Sequence, residues 1–162
     1  MQRMTTIEIR KQYLHFSAAH FTIFSATERE RLHGHNWRVS ASITGPVQYD
    51  GLCFDYAVYK ELLKKLCAQY DEYTLLPEFS PFLTIEDQGD SILATHNEVT
   101  MSFLKTDALI LPVRNITIEE LSDYLLKQML KSKDTLDKHE ISNIVLGVSS
   151  GPDQWAYSEW QR

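Results

Sequence analysis

His33-Gly34-His35-Asn36-Trp37-Arg38-Val39-Ser40-Ala41-Ser42-Ile43 is the stretch that decides the fold, because from Asn36 onward polar and apolar residues take turns. Strict alternation places successive side chains on opposite faces of an extended chain, so residues 35–44 read as a strand with one buried face. Gly45 and Pro46 end it. Upstream, residues 5–22 are rich in Ile, Tyr, Phe and Leu without helical spacing and read as a second strand. The polar segment 25–31 between them suits a wide hairpin connection.

Farther out, Asp55 stands at a helix N-cap position, and Val58, Leu62, Leu63, Leu66 and Tyr70 follow at spacings of three and four. They predict a helix to about Tyr70, closed off by Leu75-Leu76-Pro77. A second helix starts at Thr117, with Glu120 completing a capping box, carries Leu121, Tyr124, Leu125 and Met129, and ends before Ser132. Between the helices, residues 91–94 and 99–104 flank a turn at His96-Asn97, and 108–113 is a short apolar run. These read as a small hairpin and a strand. Residues 141–148 and 155–160 are the last strands. The order strand, strand, helix, irregular insert, helix, strand, strand predicts an α+β domain with antiparallel pairing.

The same tripeptide that opens the alternating strand carries chemistry. His33 and His35, at i and i+2, project from one face and can reach one ion together. His20 ends the first strand across the hairpin, so three neutral nitrogens can converge and leave a fourth position open, as catalytic zinc sites do. The alternative is three polar histidines on an exposed hairpin. His15 falls on the opposite face of the first strand, and His96 and His139 lie in turn-like polar contexts, so these three are assigned to structure or solvent.

Composition narrows the remaining choices. The 162 residues fit a single domain, 1–162, and 43% hydrophobic with 23% charged residues describe an ordered globular unit. A net charge of -6 and a pI near 5.5 argue against nucleic acid or an anionic membrane as partner, though a local basic pocket is compatible with them. Residues 1–6 lack the pattern of a secretory signal, and no apolar run approaches the roughly 20 residues of a membrane span, so a cytoplasmic location is expected. Cys53 and Cys67 lie in unrelated contexts and read as reduced core residues.

Phe16-Ser17-Ala18-Ala19-His20 followed by Leu32-His33-Gly34-His35-Asn36-Trp37 resembles the zinc motif of the 6-pyruvoyltetrahydropterin synthase and 6-carboxytetrahydropterin synthase family. The resemblance continues through 51–56, Asp71, Leu75-Leu76-Pro77, Leu111-Pro112, 115–121 and 152–157, nearly the whole chain. It implies the tunnelling fold, an antiparallel four-stranded sheet with two helices on one face. It also implies trimers whose sheets close a barrel, stacked in pairs as hexamers. The implied activity is a zinc-dependent lyase acting on the side chain of 7,8-dihydroneopterin triphosphate, in pterin, folate or queuosine-precursor metabolism, with Zn2+ on His20, His33 and His35.

In most members of that family the base is a cysteine, at the position occupied here by Arg29. A subgroup places a glutamate one residue later, in Arg-Glu-x-Leu-His-Gly-His, which Arg29-Glu30-Arg31-Leu32-His33 matches; that subgroup makes 6-hydroxymethyl-7,8-dihydropterin. Glu30 is accordingly the expected base, the alternative being a solvated loop charge. The family's Asp-His relay corresponds to Asp71-Glu72, and its pterin-clamping glutamate to Ser149 or Ser150. Thr117 and Glu119 match positions that line the pterin pocket, and they are also residues favoured at any helix N-terminus. Two other functions stay open: a diverged zinc-binding homologue without pterin chemistry, and an enzyme using the metal on another small heterocycle.

Overall fold

β3 (His33–Pro46) is the spine of the molecule, which a computed structural model describes over residues 2–162. Its inward residues Trp37, Val39, Ala41 and Ile43 are all buried to 1% exposure or less, as the alternation predicts. On one side it pairs antiparallel with β1 (Met4–Ile9) along its second half and with β2 (His15–His20) along its first. The segment predicted as one strand over 5–22 is thus two. Ile9 stands opposite Ala41 and His15 opposite Arg38, so five residues, 10–14, face only Val39 and Ser40. The excess residues loop out and break the ladder. Val39 N–H still donates to Leu14 O, 2.9 Å away, across the break.

α1 (Tyr56–Ala68) begins where expected, with the Asp55 carboxylate accepting from Ala57 N–H at 2.9 Å. Its buried stripe is Tyr59, Leu63, Leu66 and Cys67, one residue round from the predicted one, and Val58 is exposed. After the helix, Leu75-Leu76-Pro77 does not simply close it: these residues form β4 (Tyr73–Pro77), which lies parallel to β2. A three-stranded antiparallel sheet follows, made of β5 (Thr84–Asp87), β6 (Ser91–His96) and β7 (Val99–Leu104). The hairpin turns through Asn97 and Glu98, both at positive φ. β8 (Ala108–Leu111) then pairs parallel with β4.

α2 (Ile118–Met129) is N-capped by Thr117, whose hydroxyl accepts from Glu120 N–H at 3.4 Å. The reciprocal half of the predicted capping box does not form, because the Glu120 carboxylate takes the Arg114 N–H at 2.8 Å and the Arg114 guanidinium. A short third helix, α3 (Lys133–Lys138), was not foreseen. β9 (Asn143–Ser149) and β10 (Ala156–Gln161) complete the main sheet, in the order β10-β9-β3-β2-β4-β8 with β1 also on β3.

The α+β class stands, while the expected four-stranded antiparallel sheet is a seven-stranded mixed one with two parallel pairings. α1 packs on β2, α2 on β9 and β10, and the two helices on each other. The large core lies between them and the sheet. A second, smaller core of Phe21, Ile23, Leu76, Leu83, Ile92 and Ala94 joins the 21–31 loop to the three-stranded sheet. Among the described residues no helix is long and apolar enough to cross a membrane.

Candidate metal centre and active site

Phe16, Ala18 and His20 share the inward face of β2, and His33, His35 and Trp37 the inward face of β3. Since His20 stands directly opposite His33, the register alone brings three imidazoles together at the end of the core face. One ligand atom from each lies within 4.8 Å of the others, which makes them a group able to hold a metal ion. They are not spread over an exposed hairpin: His20 is 4% exposed.

Hydrogen bonds to carbonyls set the tautomers. His20 Nδ1 is 2.8 Å from Ile116 O and His33 Nδ1 is 2.7 Å from Arg31 O. A carbonyl only accepts, so both Nδ1 atoms carry protons and both Nε2 atoms present lone pairs, an arrangement common to metal-bound histidines. His33 Nε2 and His35 Nε2 are 3.0 Å apart. His20 Nε2 is buried without any partner. An unpaired buried nitrogen costs about 1–3 kcal/mol, a penalty that a metal bond would remove. The donor set therefore fits a divalent cation with a preference for nitrogen, zinc among them.

Burial, with His33 and His35 beside it, lowers the His20 pKa to about 4, and burial followed by His33 also lowers that of His35. Neutral imidazoles are the metal-binding form, so protons compete weakly for these two at neutral pH. Trp37 forms the floor: its ring centroid is 4.8 Å from His20 and 5.3 Å from His35, and its Nε1–H donates to Ala18 O at 3.1 Å.

A cavity of about 340 Å³ opens over the cluster. Glu30 lines it, with its carboxylate 3.9 Å from His33 Nε2 and accepting from Thr22 N–H at 2.9 Å. Burial alone would raise the Glu30 pKa, but the Thr22 hydrogen bonds together with His20 and His33 hold it below its usual value. Thr117 and Glu119 line the same cavity from the start of α2. Of the two serines considered, Ser150 lines it, whereas Ser149 is fully buried and bonds to the Gly151 backbone. Asp71 and Glu72 are elsewhere. The Asp71 carboxylate accepts from Ser17 N–H at 2.7 Å, and Glu72, at φ 66°, lines another cavity of about 550 Å³ with Ser17, Gly34, Asn36 and Asp107, which of the three histidines only His35 also lines.

Thr22 and Gln154 also face the histidine cavity and were not foreseen. Thr22 lies two residues past His20, so its spacing was a usable signal; Gln154 comes in on the β9–β10 turn and had none. Of the other histidines, His15 is exposed, His96 is buried with Nε2 2.8 Å from Ser25 O, and His139 Nδ1 is 2.8 Å from Tyr59 Oη. All three are structural or solvated, as expected. Cys53 is half-buried and Cys67 buried, both as free thiols.

The model of the family described as 6-pyruvoyl tetrahydropterin synthase matches residues 8–159. The chain belongs to the 6-pyruvoyl tetrahydropterin synthase family. Within that family, a Methanocaldococcus jannaschii protein provisionally named as a 6-carboxy-5,6,7,8-tetrahydropterin synthase is 24% identical over 144 residues, 88% of each chain. The crystal structure of the Plasmodium vivax 6-pyruvoyl tetrahydropterin synthase superposes with a TM-score of 0.93 at 29% identity, covering 99% of both chains. The Plasmodium falciparum synthase does so with a TM-score of 0.93 at 30% identity, over 98% of this chain and 99% of that one. Structures also exist of the P. vivax enzyme with a glutamate, described as a catalytic residue, replaced by Ala or Cys.

Proposed function

We propose that this member of the family is a zinc-dependent lyase acting on the side chain of 7,8-dihydroneopterin triphosphate, with Glu30 as the base. The observation that carries the reading is the unpartnered, buried His20 Nε2 beside His33 and His35, in one cavity with a carboxylate. His20, His33 and His35 would hold the ion. When bound, zinc would supply a Lewis acid that acidifies the side-chain hydroxyls.

Glu30 takes the proton from the second side-chain hydroxyl as the bond between the first and second side-chain carbons breaks. A proton returned to the first carbon leaves it as the hydroxymethyl group, while the second carbon departs as the aldehyde of a triphosphorylated two-carbon fragment. The lowered pKa of Glu30 keeps it ionised at neutral pH, and the Thr22 N–H holds the carboxylate in place. Thr117, Glu119, Ser150 and Gln154 present the polar groups that would orient the heterocycle. The glutamate replaced in the P. vivax variants supports assigning the base to a carboxylate, and with it 6-hydroxymethyl-7,8-dihydropterin as product.

Asp71 and Glu72 do not line the histidine cavity within one chain, and a second copy, as in a trimer or hexamer with shared sites, would bring them to it. Light scattering of the protein at micromolar concentration should then give three or six chains, and a monomer would remove both residues from the site. The second reading, a different heterocyclic substrate, is favoured by one feature: the hydroxyl of Ser150 where the family clamps its pterin with a carboxylate. Mass spectrometry of the products formed by zinc-loaded protein from dihydroneopterin triphosphate decides between them. An unchanged substrate would refute the lyase reading.

A further inference from the structure

Glu30 borders more than the histidine cavity. A second cavity, about 610 Å³, is formed by the 24–31 segment and the β6–β7 turn, and Glu30 lines both. Arg29, Arg31, Thr27, Phe24 and Val99 form its walls. We infer that Arg29 and Arg31 make this second cavity a subsite for the polyphosphate tail of the substrate, an inference that rests on the pterin triphosphate reading above.

Three observations support it. The first is the state of Arg29. It is half-buried while the other six arginines are exposed, and it forms no ion pair among the described residues. One of its N–H groups donates to Glu30 O at 2.8 Å and its guanidinium carbon sits 5.2 Å from the centre of the Phe21 ring. The fork is therefore fixed in place with most of its donors uncommitted, the state that suits bidentate binding of phosphate. Arg31 likewise has no carboxylate partner among the described residues.

The second observation is that the loop carrying both arginines is held from several sides. An isolated bridge joins Ile23 to Arg29, Phe24 N–H donates to Glu28 O at 2.9 Å, and Asn115 Nδ2 donates to Ile23 O at 2.8 Å. The buried His96 donates from Nε2 to Ser25 O at 2.8 Å, tying the loop to the β6–β7 hairpin. A site already ordered loses less entropy on binding.

The third is one of direction. Thr117, Glu119, Ser150 and Gln154 take the heterocycle end of the histidine cavity, and Glu30 is common to both cavities. A ligand whose hydroxylated carbons lie over the histidines and which extends past Glu30 meets the arginines of the second cavity. In a chain of net charge -6, a highly anionic tail needs such a local cationic pair. Glu28 and Glu30 also line the second cavity. Glu30 is turned to Thr22 N–H and His33, and Glu28 is exposed, where salt screens its repulsion over about 8 Å.

The test uses neopterin and neopterin triphosphate, the oxidised and fluorescent pterins, titrated into zinc-loaded protein and followed by anisotropy. Wild type should bind the triphosphate form at least tenfold more tightly. Arg31→Gln and Arg29→Lys should each remove about tenfold of that advantage, as the loss of a charge-assisted hydrogen bond does, and leave neopterin binding within about twofold. Arg31 is exposed, so its variant does not depend on tolerance in the core. Equal binding of the two pterins by wild type, or an advantage that survives both substitutions, would overturn the subsite alone. Binding of neither pterin would overturn the pterin reading and the subsite with it.

Discussion

Glu30→Gln separates chemistry from structure at the candidate site. The substitution keeps the size of the side chain and an oxygen that can accept from Thr22 N–H, now 2.9 Å from the carboxylate. What changes in the fold is one charge-assisted hydrogen bond becoming a neutral one, on a side chain 37% exposed. That exchange is worth about 1 kcal/mol, which for a domain of this size lowers Tm by about 2–4 °C. What changes in the chemistry is the proton acceptor. A positioned base contributes about 100-fold to 10,000-fold in rate, so kcat should fall by at least about 100-fold. The assay is product formation from dihydroneopterin triphosphate, read by mass spectrometry, with zinc content and Tm measured on the same preparation. Turnover within about twofold of wild type, in a variant that retains its zinc, would refute the reasoning and make Glu30 a solvated loop charge.

Other outcomes follow from the same geometry. Metal analysis should find about one ion per chain, and the His33→Ala, His35→Ala double variant should lose it, because two of the three lone pairs are gone; undiminished metal content would place the ion elsewhere. Gly147→Ala should lower Tm by several degrees, since an added Cβ would meet Ser40 Oγ at 2.7 Å and the Tyr157 ring at 2.7 Å, an overpacking cost of about 1–3 kcal/mol; an unchanged Tm would show that the β9–β10 contact yields easily. His139 tests pH dependence away from the site. Burial, then Lys138, lowers its pKa from 6.5, so its neutral form stabilises the fold above pH 6.5 and that contribution is lost as the pH falls below it. In metal-free protein, the drop in Tm between about pH 7.5 and about pH 5.5 should be smaller in His139→Gln than in wild type. Equal drops would exclude His139 from the linkage.

The features legible in the residue order are those set by neighbours a few positions apart. Asp55 and Thr117 cap helices because their side chains reach N–H groups two or three residues on. The alternation in β3 and the i, i+2 spacing of His33 and His35 need only an extended backbone, and placing His20 beside them needs only the hairpin that joins the two strands. Those local constraints carried the three histidines, and the resemblance to a known family, in this stretch and again over 115–121, carried Glu30, Thr117 and Glu119 into their cavity. The rest depended on choices among distant partners. Pro77 looked like a stop after a helix, yet it ends a parallel strand, because burying Leu75 and Leu76 between β2 and β8 outweighs any local preference. The three residues looped out before β2 are invisible in composition and follow from two strands sharing one longer partner. Ser149 and Ser150 are adjacent and chemically identical, and only the path of the β9–β10 turn sends one inward to the Gly151 backbone and the other to the cavity. The same holds for Asp71 and Glu72, whose family counterpart is a catalytic relay but which, in one chain folded alone, do not line the cavity shared by the three histidines. Periodicity and capping are decided within a turn or two of chain, whereas pairing, register and the walls of a cavity are decided by the burial of the whole molecule.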